Sequence, residues 1–148
     1  MTKTHRAGRY NPAEEDKLIY KYSCETCGAA VEFCLPDVYA HFFGVEFSLC
    51  RKCTNDQEIE SHSRSLATML ELHHVELPAL QGDDAAQVAR AERLRALYLS
   101  RNEYDLQCYL DAPDCFSTLE LFATIRLMLE SASAAEIVSA IGDRDDYE

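Results

Sequence analysis

The 148-residue chain sets 26 acidic residues against 14 basic ones, a formal charge of -12, which excludes binding that draws on a broad phosphate-neutralising face. Its length suits one domain or a small metal-stabilised module joined to a helical one, and no apolar run approaches the ~20 residues that span a bilayer. Seven cysteines, an odd number, fit a complete disulfide framework poorly, and the N-terminus lacks the apolar core of a secretory signal; together they predict a cytoplasmic protein whose cysteines are thiols or metal ligands.

Residues 1–20 read as a basic, partly flexible arm. Five Lys or Arg stand against three acids in residues 1–22, so Lys3, Arg6, Arg9, Lys17 and Lys21 form the one stretch that would favour an anionic partner. Residues 21–77 read as a four-cysteine module with the helix that follows it. Between its two Cys-x-x-Cys units, "AAVEFCLPDVYAHFFGVEFSL" is rich in Val, Phe and Tyr, with turn signals at Pro36-Asp37 and Gly44, and predicts short strands in one or two hairpins connecting the units.

After Cys53, Asn55 with Glu58 has the form of a capping box, and Ile59, Leu66, Met69, Leu70 and His73 recur near helical spacing. A helix is therefore expected to leave the second unit directly and to end before Pro78. Asp84 with Gln87 can cap the next segment, 85–110, which reads as one helix or two. "STLE" at Ser117 and "SAAE" at Ser133 are two more capping boxes, placing helices near 118–131 and 134–141 within a helical domain at 84–142. Residues 143–148, with four acids, read as an acidic tail. The expected class is α+β, mostly α: a small four-cysteine zinc module with short β-hairpins, packed on or followed by a domain of three to four helices.

Cys24, Cys27, Cys50 and Cys53 carry the chemistry. A Cys-x-x-Cys turn offers two thiolates from one tight knuckle, and two knuckles complete a tetrahedral shell for one structural zinc ion per chain. Gly28 suits a turn that needs positive φ, and Arg51 and Lys52 can offset the negative charge of a zinc tetrathiolate. A pair of redox-active Cys-x-x-Cys units is the alternative, though no thioredoxin-like βαβ pattern accompanies them. Cys34 and His41 lie between the knuckles and are assigned to packing, with entry into a variant metal shell left open. Cys108 and Cys115 flank "YLDAPD" and read as free thiols, and His73-His74 read as helix-end residues.

Residues 22–75, through "CETCG", "CRKC" and the helix from Asn55, resemble the treble-clef and zinc-ribbon fingers, and a helix leaving the second knuckle favours treble clef. That resemblance implies a metal that holds the module together while an exposed face contacts protein or nucleic acid. A closed four-cysteine shell leaves no coordination position for water or substrate, and the chain carries no P-loop, no Gly-x-Ser-x-Gly, no His-Glu-x-x-His and no dinucleotide fingerprint, so no enzyme is expected. Treble-clef nucleases also resemble the knuckles, but His41 has no convincing partner set.

The segment from Leu121 to Gly142 resembles the first two helices of a helix-turn-helix unit; the six residues after it are too short and too acidic for a recognition helix. Leu119, Leu121, Phe122, Ile125, Leu127, Met128 and Leu129 wrap most of the helix at 118–131, which predicts burial in the domain core or against a partner, a homodimer included. The expected function is a non-enzymatic, zinc-stabilised protein-interaction module acting as adaptor, regulator or inhibitor, its partner offering a basic surface. The alternative is nucleic-acid binding through the arm with Arg51 and Lys52.

Overall fold

The computed structural model describes residues 17–36, 49–116, 119–144 and 147, with the side chains of 17–20, 33–36 and 116 left aside. The chain divides between Thr54 and Asn55 into two units.

In the first unit, β1 (Lys17–Ser23) and β2 (Ala30–Pro36) form an antiparallel hairpin whose register runs from Ser23 opposite Ala30 to Lys17 opposite Pro36. The segment "KLIYKYS" supplies the β-branched and aromatic residues that favour a pleated strand. The strand β2 lies in the segment expected to form strands, and its partner β1 lies before the first knuckle, taking in residues 17–20 of the expected arm. Short loops favour pairing of the strands they join, and only residues 24–29 separate these two. Lys21 faces Glu32 across the ladder at 3.5 Å, an exposed pair that contributes at most about 1 kcal/mol. Residues 37–48, which hold the rest of the expected strands, lie outside the described residues.

The helix α1 (Arg51–Leu72) starts at the second knuckle, as expected, but not at Asn55. The expected cap pair faces another helix instead. Asn55 is 1% exposed, and its Oδ1 accepts from Arg101 Nη2 at 2.8 Å, while Glu58 Oε2 accepts from Arg101 Nε at 3.1 Å.

Beyond α1, the second unit contains α2 (Ala85–Arg101), α3 (Glu103–Asp111), α4 (Pro113–Phe116), a 3-10 turn at Glu120–Phe122, α5 (Ala123–Glu130) and α6 (Ala134–Ile141). The segment 85–110 is thus two helices, parted at Asn102. Asp84 caps α2 as expected, its Oδ1 accepting from the Gln87 amide at 2.7 Å. Ser133 caps α6 in the same way at 3.3 Å, and Glu136 reaches back to the hydroxyl of Ser131 at 2.5 Å. The linker is tied to α6 by a parallel bridge between Gln81 and Ser133, with Ala134 N–H donating to Gln81 O at 2.9 Å.

Among the described residues one apolar core occupies this unit, with Leu66 and Met69 of α1 as members alongside residues of the later helices. The helix after the second knuckle therefore serves the helical core over that stretch. Four consecutive residues of α2, Leu97 to Ser100, are each 8% exposed or less, so the end of this helix is surrounded on all sides. Two rungs join α1 and the residue after it to α3: His62 Nδ1 with Glu103 Oε2 at 2.6 Å, and His73 Nε2 with Asp111 Oδ1 at 3.3 Å.

The apolar segment 118–131 resolves into two parts. Phe122, Ile125, Met128 and Leu129 are buried in the unit's own core, whereas Leu119 and Leu121 precede α5 and are 45% and 77% exposed. Ser117 of the expected capping box lies outside the described residues, and α5 begins at Ala123 without a side-chain cap. The expected acidic tail is also partly internal. Tyr147 is 4% exposed, stacked on Tyr98 with ring centroids 6.0 Å apart, and the Arg101 guanidinium lies 4.8 Å from its ring centre.

Candidate metal centre

The first knuckle closes the hairpin. The Cys24 amide donates to Ala29 O at 2.9 Å and the Gly28 amide to Cys24 O at 2.8 Å, a tight loop that puts Gly28 at φ +73°. That left-handed conformation is open to glycine at no steric cost, which is why the turn can bring Cys24 and Cys27 to one side.

The second knuckle is a helix start. Cys50 stands at the cap position of α1, with its Sγ accepting from the Cys53 amide at 3.4 Å where a Ser or Asp oxygen usually accepts. Its carbonyl accepts from the Thr54 amide at 2.9 Å and from the Thr54 hydroxyl at 3.0 Å. A thiolate at a helix N-terminus is favoured by the exposed amide dipoles, and this capping by sulfur leaves no need for a capping box further along at Asn55.

The four sulfurs of Cys24, Cys27, Cys50 and Cys53 lie within 4.8 Å of one another. A tetrahedral ion with ligands about 2.3 Å away sets sulfur–sulfur edges of about 3.8 Å. The Cys27–Cys50 separation is 3.7 Å, so that edge already has the required length, and the remaining edges close with a contraction of about 1 Å at most. The arrangement can hold one metal ion and is compatible with a four-cysteine zinc site.

Electrostatics favour the same occupant. Backbone amides, first that of Cys27 and then that of Cys50, stabilise the Cys24 thiolate and lower its pKa to about 6. The Cys53 thiol is pushed up to about 12, chiefly by its hydrogen bond to the Cys50 sulfur and then by burial. Four sulfurs this close cannot all be anionic without a cation among them; a divalent ion supplies that charge and takes all four as thiolates.

Tyr22 is a supporting residue that motif reading passes over. Its hydroxyl donates to Leu49 O at 2.7 Å, pinning the strand before the first knuckle to the residue before the second. Burial, followed by the nearby Cys50 and Cys24, raises its pKa, which keeps the hydroxyl protonated as a donor. Its position two residues before Cys24 is the one signal the sequence offers.

Arg51 and Lys52 are exposed at the start of α1, Lys21 pairs with Glu32, and Lys17 lies in β1. Lys3, Arg6, Arg9 and His41 lie outside the described residues, as does the side chain of Cys34 in β2. Cys108 is half-buried and Cys115 exposed, both as free thiols. His73 bonds across to α3, whereas His74 ends α1 in a left-handed conformation at φ 55°. No helix among the described residues is long and apolar enough to cross a membrane.

No family model, curated protein or solved structure gives a significant match to this chain.

Proposed function

We propose that this is a non-enzymatic interaction protein in which a structural zinc ion, held by Cys24, Cys27, Cys50 and Cys53, fixes a treble-clef-type module, while the acidic helical unit that follows it in the chain docks on a basic surface of a protein partner. The observation that carries this reading is how charge is shared between the two units. Residues 1–54 hold seven acids and seven bases, net zero; residues 55–148 hold nineteen acids against seven arginines and no lysine, net -12. All of the chain's net charge falls in the helical unit. A field of that sign accelerates encounter with a positive surface and discourages acidic partners and nucleic acid.

The treble-clef assignment is supported by a knuckle in a β-hairpin and a helix leaving the second knuckle. The zinc assignment is supported by the all-sulfur donor set, which suits zinc among the tetrahedral ions. The metal's role is structural in this reading, because four protein sulfurs leave no open position. Nucleic-acid binding is the second reading, favoured by the exposure of Arg51 and Lys52 at the knuckle.

The deciding experiment captures proteins on the zinc-loaded chain from cell lysate, with and without nuclease. A partner that survives nuclease and dissociates as salt is raised supports an acidic docking protein. Loss of every partner on nuclease treatment replaces it with the nucleic-acid reading.

A further inference from the structure

The four sulfurs are not equally protected. Cys24 and Cys53 are 3% and 7% exposed, whereas Cys27 is exposed and Cys50 half-buried. Each knuckle thus contributes one buried cysteine and one that is exposed or half-buried, and the sulfurs of the two less buried ones are the pair 3.7 Å apart.

We propose that Cys27 and Cys50 form an oxidation site: hydrogen peroxide or an organic hydroperoxide converts this pair to a disulfide that joins the two knuckles and expels the metal. The inference rests on the zinc reading above. The Cys27 thiolate is the first to be attacked, being the most exposed of the four, and Cys50 is steadied by the hydrogen bond from the Cys53 amide.

The Cys27 sulfur attacks the distal peroxide oxygen, the O–O bond breaks, and Cys27 becomes a sulfenic acid with release of hydroxide. The Cys50 thiolate then displaces a second hydroxide from that sulfur, forming the S–S bond. Two thiolates and one hydrogen peroxide thus take up two protons and yield one disulfide and two waters. A disulfide needs its sulfurs about 2.05 Å apart, so they must move together by less than about 2 Å. That bond removes two of four ligands at once, and a metal left with two thiolates dissociates. Cys24 and Cys53 take no part in this bond, so a dithiol that reduces it restores the complete donor set.

The test begins with the full chain loaded with zinc and its metal content measured at about one ion per chain. Hydrogen peroxide is then added while a chromophoric chelator reports free zinc, and peptides are mapped without reduction. The expected result is loss of zinc with a Cys27–Cys50 disulfide, reversed by a dithiol and added zinc. Zinc retained by the wild type, or a disulfide joining a different pair, overturns the inference and leaves the zinc reading standing. A chain that takes up no zinc before oxidant is added overturns both.

Discussion

Arg101 Nη2 donates to Asn55 Oδ1 at 2.8 Å across 46 residues, and Asn55 is 1% exposed. The same guanidinium binds Glu58 and lies against the ring of Tyr147, so one side chain of α2 contacts both α1 and Tyr147. Replacing Arg101 with Leu removes a donor from two acceptors, one of them buried, and is expected to cost about 2–4 kcal/mol. Arg101→Lys should recover only a minor part, because one ammonium cannot reproduce a planar fork that serves two acceptors. Urea unfolding of the zinc-loaded proteins measures both; a lysine variant as stable as the wild type would show that geometry at this residue is unimportant.

Tyr147 carries a second prediction. A residue 4% exposed and stacked on Tyr98 behaves as core, although its neighbours in sequence are acids. Tyr147→Ala should lower stability by about 3 kcal/mol, with Tyr147→Phe retaining most of it, since the ring makes the described contacts. A freely solvated tail would give no change for either variant in thermal unfolding.

Glu103 makes stability depend on acid pH. Its carboxylate is held below the ordinary value of 4.5, first by the nearby Ser65 hydroxyl and then by the hydrogen bond with His62. A depressed folded pKa contributes stability that is complete above the unfolded value and is lost as pH falls through the folded one. The window therefore opens below about pH 4.5. Glu103→Gln should flatten this part of the acid limb in a series of urea midpoints, and an unchanged limb would assign acid sensitivity to other groups.

His74 ends α1 in the left-handed region at φ 55°, with Val75 N–H donating to Leu70 O at 2.9 Å and His74 N–H to Glu71 O at 3.1 Å. These two bonds form a Schellman cap, which ordinarily carries glycine at this position. His74→Gly should be neutral to stabilising by about 1 kcal/mol, relief of strain outweighing the added freedom of the unfolded chain. His74→Val, β-branched at positive φ, should lose about 1–3 kcal/mol. The reverse order of melting temperatures would place the strain elsewhere.

Metal removal should act on the hairpin unit first. The described part of the first unit has only two strands, and an isolated two-stranded hairpin is marginal in water. Chelation, or Cys24→Ser, is expected to abolish amide protection in β1 and β2 while α2 and α6 keep theirs. Hydrogen exchange followed by peptide resolves this, and protection of β1 and β2 that survives full metal removal would argue against a structural metal.

The parts of this architecture that depend on a few adjacent residues are legible in the sequence. The two Cys-x-x-Cys units declare the four clustered sulfurs because a knuckle is a four-residue turn, and the caps at Asp84 and Ser133 are legible because each is closed by an amide three residues on. Asn55 with Glu58 has the same local pattern and a different fate: a Cys50 sulfur caps the helix before them, and a guanidinium 46 residues away takes both side chains. The pairing of residues 17–23 with β2 escapes a local reading because Lys17 and Lys21 make the segment look like a polar arm, whereas its Leu18, Ile19, Tyr20 and Tyr22 suit a strand once β2 is beside it. Tyr147 is masked by its acidic neighbours for a similar reason. Sequence by itself thus determined the four clustered sulfurs, the helix starts that cap themselves and the total charge. Only the tertiary structure decided which polar side chains serve another helix, which aromatic of the tail is core and which two of four equivalent cysteines face water, because each depends on where distant segments meet.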